Sequence, residues 1–335
     1  MKYRQLPRTN LLISEIGFGA WTVGTNWWGH REEPERIQLL HKAVDLGINF
    51  FDTADIYGNG YGEEILAKAL SKERHNIIIA TKFGYDIYDP TPHIGHQERT
   101  QKFEPSFIRY ACEQSLRRLK TDYIDLYQLH NPRITAIEQD DIFRTLDDLV
   151  YEGKIRHYGC ALGPDIGWLE EGEASMKCRN THSLQIIYSI LEQDPALQFF
   201  PIAQEKEIGL FSRVPHASEV LTGTFDEPPE FDPSDHRSYR KREWLTTALK
   251  KARMVKFLAE ETGRTMAQAA IKFCLAQKTI VSVLPNLTNI DTMIEYAEAP
   301  DTSDITTEEA NRLQDLWDSN FGLEELATAD DVPDR

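Results

Sequence analysis

Residues 77–82 read Ile-Ile-Ile-Ala-Thr-Lys. This apolar, β-branched run describes a short strand buried on both faces, as in a sheet covered by helices on either side. It closes on Lys82, which is costly in a dry environment unless the ammonium finds a partner. Similar runs recur at Glu15–Phe18, Asn49–Asp52, Tyr123–Leu129, Ile155–Ala161, Ser183–Tyr188, Ile208–Ser212 and Ile280–Leu284, making eight in all. Helical patterns lie between them, at Pro34–Leu46, Glu63–Leu70, Pro105–Leu119, Glu138–Tyr151, Leu169–Lys177 and Trp244–Glu261. Pro34 and Pro105 suit the first turn of a helix, and Leu46-Gly47 suits a helix end with a left-handed cap. Strands alternating with helices predict a parallel sheet, and eight such units close on themselves. The expected fold is therefore α/β, a (β/α)8 TIM barrel. An open doubly wound sheet would carry Gly-x-Gly-x-x-Gly after its first strand; residues 17–24, Gly-Phe-Gly-Ala-Trp-Thr-Val-Gly, do not fit that spacing.

The 335 residues suit one such barrel, and the expected organisation is a single domain over 1–335. Residues 224–241 read as a long loop insertion, rich in Pro, Asp and Glu at its start. A helix over Thr306–Trp317 is followed by an acidic tail, 319–335, expected to fray. With 41% hydrophobic and 27% charged residues a sizeable core is expected. The net charge of −17 argues against a nucleic-acid or anionic-membrane surface, since both require clustered Lys and Arg. No apolar run approaches the length of a membrane span, and the N-terminus lacks the apolar core of a signal peptide, so a cytoplasmic protein is expected. Cysteines at 112, 160, 178 and 274 have no metal-ligand spacing and read as reduced, mostly buried thiols.

In a barrel, the C-terminal ends of the strands surround the site. Phe50-Phe51-Asp52 ends one run in a carboxylate, Tyr57 follows on the next loop, Lys82 closes the third run, and Leu129-His130 closes the fourth. Each has an ordinary structural reading: a turn cap, a partly buried ring, a snorkelling amine, a satisfied turn histidine. Together at one rim they suit carbonyl reduction. A phenol near pKa 10 is a sluggish proton donor at neutral pH. An adjacent ammonium is expected to lower that pKa, with Asp52 as its counter-charge. His130 can then orient the carbonyl oxygen by a hydrogen bond.

Phe51-Asp52-Thr53-Ala54-x-x-Tyr57-Gly58, Thr81-Lys82 and Leu129-His130 resemble the aldo-keto reductases, whose Asp/Tyr/Lys/His tetrad has this spacing. Ile16-Gly17-x-Gly19-x-Trp21, Lys154-Ile155-Arg156-x-x-Gly159, Gln185-x-x-Tyr188 and Leu221-Thr222-Gly223 extend the resemblance from Arg4 to Trp317. It implies an oxidoreductase interconverting aldehydes or ketones with alcohols, using NADP or NAD and no metal, on a small-molecule carbonyl substrate. It implies catalytic roles for Asp52, Tyr57, Lys82 and His130. Gln185 would hold the nicotinamide carboxamide. Trp21, Phe211, Arg213, Val214, Asn286, Thr288, Asn289 and Glu295 would join Gln185 and Asp52 around the cofactor. Trp21, Trp27, Trp28 and His30 would wall the substrate pocket.

Three departures concern the cofactor. A Ser-Asn pair that grips the carboxamide is replaced by Ala161-Leu162, which cannot hydrogen-bond through their side chains. Arg213 stands where the family has an aromatic that stacks on the nicotinamide; a guanidinium can also stack, or can reach the pyrophosphate or an anionic substrate group. From Leu284 to Glu298 there is no Lys or Arg, while Asp291 and Glu295 are acidic. A 2′-phosphate normally calls for Arg or Lys. The family favours NADP and these residues favour NAD. Two other functions fit the same residues: a nucleotide-sensing or regulatory barrel with little turnover, and an NAD-linked sugar or alcohol dehydrogenase. Neither the physiological substrate nor the oligomeric state is legible.

Overall fold

The buried runs pair into a single parallel sheet in the computed structural model, which describes residues 1–89, 98–163, 168–260 and 262–323. An antiparallel hairpin comes first, β1 (Tyr3–Gln5) with β2 (Leu12–Ser14). The parallel strands follow: β3 (Phe18–Gly19), β4 (Phe50–Asp52), β5 (Ile78–Phe83), β6 (Ile124–His130), β7 (Ile155–Ala161), β8 (Ser183–Ile187), β9 (Gly209–Arg213) and β10 (Ile280–Leu284). They lie in sequential order, each hydrogen-bonded to the next. A parallel bridge between Ile16 and Val283 joins the two ends of that order, with the Gly17 N–H donating to the Val283 carbonyl at 2.9 Å. The sheet thus curls into the expected barrel.

Helices cover the outside. Glu33–Asp45 begins with Pro34 in its first turn and ends at Gly47, whose φ of 83° supplies the left-handed cap. Pro105–Leu119 has the expected bounds. The long helix expected over Trp244–Glu261 is two, Arg242–Met254 and Phe257–Glu260, broken at Val255; residue 261 lies outside the described residues. Helices Ala196–Glu205, Met266–Ala276 and Ile290–Glu298 complete the alternation.

The hairpin plugs the N-terminal end. Leu6 and Ile13, fully buried, pack with Phe50, Ile78, Leu126 and Phe211 in the barrel interior. A β-carbon on Gly209 would stand 2.3 Å from Leu6 Cδ1, so β9 needs a glycine where the plug enters. With that end closed, the opposite mouth is the accessible one. Within residues 224–241, Phe225 and Phe231 pack against the cluster around Leu245 and Leu249, and a short turn at His236–Tyr239 brings His236 against Trp27. The tail is held at its start rather than frayed: Phe321 is buried, and Lys251 donates to Asn320 Oδ1 at 2.8 Å. Residues 324–335 lie outside the described residues.

Candidate active site

Asp52 ends β4, where it pairs in register with Gly19 on one side and Ala80 on the other. The chain then turns outward through Thr53, whose N–H donates to the Ala80 carbonyl at 2.8 Å, and reaches Tyr57 within one tight loop. Gly58 makes that loop possible. Its φ is 61°, and a β-carbon there would lie 2.4 Å from the Gly24 carbonyl oxygen. The phenol is consequently pinned over the mouth, nearly buried, with Trp21, Trp27 and His130 edge-on to its ring at centroid distances of 6.4, 6.3 and 6.0 Å.

Lys82 lies on β5 with its ammonium inside the barrel. Its Nζ donates to Asp52 Oδ1 at 2.5 Å, to the Thr53 carbonyl at 2.8 Å and to Tyr57 Oη at 3.5 Å. Burial works against the ammonium, but Asp52 and the Tyr57 phenol more than offset it, so Lys82 is held above its ordinary pKa and stays charged. The net shift at Tyr57 runs opposite to the expected lowering. Burial, with the Asp52 charge adding to it, raises its pKa by more than Lys82 and Arg213 lower it, so the phenol is held protonated. Lys82 moderates that rise without reversing it. His130, at the end of β6, is held well below 6.5 by burial first and then by Lys82 and Arg213, so it is a neutral imidazole at neutral pH. Its Nδ1 is buried with no protein partner among the described residues.

Asp52 is the hub. While Oδ1 takes Lys82, Oδ2 accepts from Gln128 Nε2 and from Gln185 Nε2, each at 3.0 Å. The amide nitrogen of Gln185, the residue expected to hold the carboxamide, is therefore committed to Asp52, leaving its Oε1 as the acceptor available to a ligand. Gln128 was invisible as a site residue. The available signal was its place on β6, two residues before His130 and so on the same strand face.

The expected cofactor residues divide. Trp21 Nε1 donates to Asn286 Oδ1 at 2.9 Å, and Asn286 Nδ2 to Glu219 Oε1 at 2.6 Å, linking three loops of the mouth. Arg213 spans the mouth, its Nη2 donating to the Leu162 and Gly163 carbonyls at 2.9 Å each, rather than facing solvent. Phe211 is a correction: it is 0% exposed and packs on Phe50 at 4.7 Å, filling the barrel below the mouth and presenting no surface to a ligand. Val214, a β-branched residue, has a φ of 58°, and Ala217, Ser218 and Glu219 are also left-handed. Such a run of non-glycine left-handed residues is strained, and strain of this kind gathers at ligand clamps. Asn289 caps the helix Ile290–Glu298 by accepting from the Thr292 N–H, and Thr288 lies beside it, partly buried. The Glu295 carboxylate accepts from the Thr265 hydroxyl. His216 and Tyr296, with rings 4.6 Å apart, tie the strained turn to this helix.

The pocket wall divides as well. Trp27 stacks on His236 at 5.2 Å, and the His236 N–H donates to the Trp27 carbonyl at 2.9 Å. Arg237 lies over Trp28 at 5.0 Å. His30 does not join them: its exposed ring pairs with Glu32 at 3.1 Å. His236, from the insertion, is a wall residue that loop composition did not single out.

These groups fit a nicotinamide dinucleotide. Gln185 shares Asp52 with Lys82, the strained turn is tied to Trp21 through Glu219 and Asn286 and to the helix Ile290–Glu298 through His216 and Tyr296, and that turn and the capped helix N-terminus are both suited to phosphate. The sequence model described as "Aldo/keto reductase family" matches residues 15–318.

The chain belongs to the aldo-keto reductase family.

An uncharacterized oxidoreductase YqkF of Bacillus subtilis (strain 168) is 32% identical over 317 residues, spanning 94% of this chain and 96% of that protein. The solved aldo-keto reductase AKR11C1 from Bacillus halodurans, in its holo form, superposes with a TM-score of 0.77 at 30% identity, covering 94% and 96% of the two chains. The glycerol dehydrogenase AKR11B4 from Gluconobacter oxydans shares the fold, with a TM-score of 0.82 at 23% identity over 98% of each chain. The protein is an NAD(P)-dependent oxidoreductase. Among its described residues no helix is long and apolar enough to cross a membrane.

Proposed function

We propose that this aldo-keto reductase interconverts a small aldehyde or ketone and its alcohol, with Tyr57 as the proton donor and acceptor. The supporting observation is one geometry: a buried Lys82 ammonium that touches both Asp52 and the Tyr57 phenol, beside a neutral His130. A bound nicotinamide supplies or accepts the hydride. The protein's own part is the proton. A carbonyl oxygen placed between Tyr57 Oη and His130 meets a phenol held protonated by burial and an imidazole able to donate a hydrogen bond. As negative charge grows on that oxygen the phenol gives up its proton, and the nearby ammonium stabilises the phenolate left behind. In the oxidative direction the same groups run in reverse, with Tyr57 taking the alcohol proton.

For the cofactor, Gln185 Oε1 would accept from the carboxamide, the turn at 214–219 and the helix capped by Asn289 would receive the phosphates, and Thr288 and Glu295 would meet the adenosine end. The absence of Lys and Arg between Leu284 and Glu298, with Glu219 and Glu295 both close to Tyr296, supports NAD over NADP. Separate titrations with NADH and NADPH, followed by an aldehyde panel with the tighter cofactor, test both parts. The expected result is tighter NADH binding and cofactor-dependent reduction of at least one small aldehyde. Preference for NADPH by about a hundredfold would overturn the NAD assignment, and absence of turnover with either cofactor would overturn the enzymatic reading.

A further inference from the structure

Gln128 lies wholly inside the barrel at 0% exposure. Its Nε2 donates to Asp52 Oδ2 at 3.0 Å, while its Oε1 is buried with no partner among the described residues. A buried amide normally satisfies both ends. An uncompensated carbonyl is tolerated here because the other orientation would set Oε1 against the Asp52 carboxylate. The side chain is therefore positioned for Asp52, at a cost to itself. Asp52 needs such donors: it is fully enclosed, and among the described residues its Oδ2 is served only by neutral amides, Gln128 from β6 and Gln185 from β8.

We propose that Gln128 is a positioning residue for the proton transfer, holding the Asp52 carboxylate in place against Lys82 and fixing, through the shared Oδ2, the orientation of Gln185. This rests on the role proposed above for Tyr57. Without the Gln128 donor, the Asp52 charge is less well stabilised and its field at Tyr57 is less offset. The carboxylate that Lys82 contacts is also less firmly placed, loosening the hold of the ammonium beside the phenol. Both effects disfavour phenolate in the same direction. Gln185, left as the sole amide donor, loses the neighbour that fixes which way its Oε1 faces.

Two variants test this in the full chain. Gln128→Leu removes the donor together with the unsatisfied carbonyl, so its thermal midpoint stays within a few degrees of the parent. Its kcat falls about tenfold or more, with carbonyl KM little changed, and the ascending limb of the alcohol-oxidation profile moves up by about one pH unit. Gln128→Glu provides a second reading. Its carboxyl faces the Asp52 oxygen and the two share a proton. Protonated, it donates as the amide does; ionised, it repels. The ratio of parent to Gln128→Glu activity therefore rises with pH, a trend that a packing defect would not produce, and this decides the matter if Gln128→Leu does not fold. A readout free of turnover is the Tyr57 resonance in 13Cζ-tyrosine-labelled, ligand-free protein, assigned with Tyr57→Phe. It shifts in both variants at neutral pH if the hub couples to Tyr57. Parental rates, pH profiles and Tyr57 resonance in both variants would overturn the proposal. An inactive parent would instead defeat the enzymatic reading, with the resonance still deciding the role of Gln128.

Discussion

Replacing Lys82 by Met removes the ammonium and keeps most of the side-chain volume. Asp52, at 0% exposure, would then face the Tyr57 hydroxyl and two neutral amides with no counter-charge. Removing one partner of a buried ion pair typically costs about 3–5 kcal/mol, because the remaining charge is left uncompensated. Unfolding entropy of roughly 2.1 cal/mol/K per residue, taken over 335 residues, is about 0.7 kcal/mol/K. The expected fall in Tm is therefore about 4–7 °C. The informative comparison is the double variant, Asp52→Asn with Lys82→Met, which carries neither charge. Its Tm should recover a substantial part of the loss, since an absent pair costs far less than a broken one. Thermal unfolding followed by far-UV circular dichroism at neutral pH measures all four corners of the cycle. A Lys82→Met midpoint within about 1 °C of the parent, or a double variant no better than the single one, would refute the view that Lys82 is held by Asp52 in a dry site.

Acid should weaken the fold through its buried imidazoles. His130 and His216 both have folded pKa values below the ordinary 6.5, burial being the leading cause in each. The unfolded chain therefore binds protons that the folded chain refuses, and stability falls as pH drops below about 6.5 and levels off above it. Urea unfolding at pH 5.5 and 7.5 should show this loss, and His130→Asn should shrink it; an unchanged loss in that variant would contradict the assignment. The insertion should act on substrate fit. His236→Ala removes the ring stacked on Trp27 at 5.2 Å, and should raise carbonyl KM several-fold while kcat stays within about twofold. Steady-state kinetics with the best aldehyde of the panel checks it, and an unchanged KM would separate the insertion from the pocket.

Strand runs apolar on both faces were legible because a parallel barrel strand is buried on both sides, and their polar last residues marked the mouth. The three-residue strands of the N-terminal hairpin were not legible, being too short to show a period. Met266–Ala276 was missed because it is buried nearly all round, with Ala267, Ala269, Ala270, Ile271, Cys274 and Leu275 enclosed, and so lacks a polar stripe. Ala196–Glu205 carries Pro201 in its interior, which argues locally against a helix. At the site, residue identities and spacing brought Asp52, Tyr57, Lys82 and His130 to one rim. Burial depth could not be read the same way. That is why the net shift at Tyr57 has the opposite sign to expectation, and why Phe211 and Gln185 proved to be turned to the barrel and to Asp52. Gln128 illustrates the same limit: a single glutamine in an apolar strand shows its partner only in three dimensions.

The most direct test compares Tyr57→Phe with the parent in a single experiment that measures NADH dissociation by fluorescence and aldehyde reduction under saturating cofactor. The account predicts a dissociation constant within about threefold of the parent and a rate lower by about 100-fold or more. Reduction by Tyr57→Phe at close to the parental rate would contradict it.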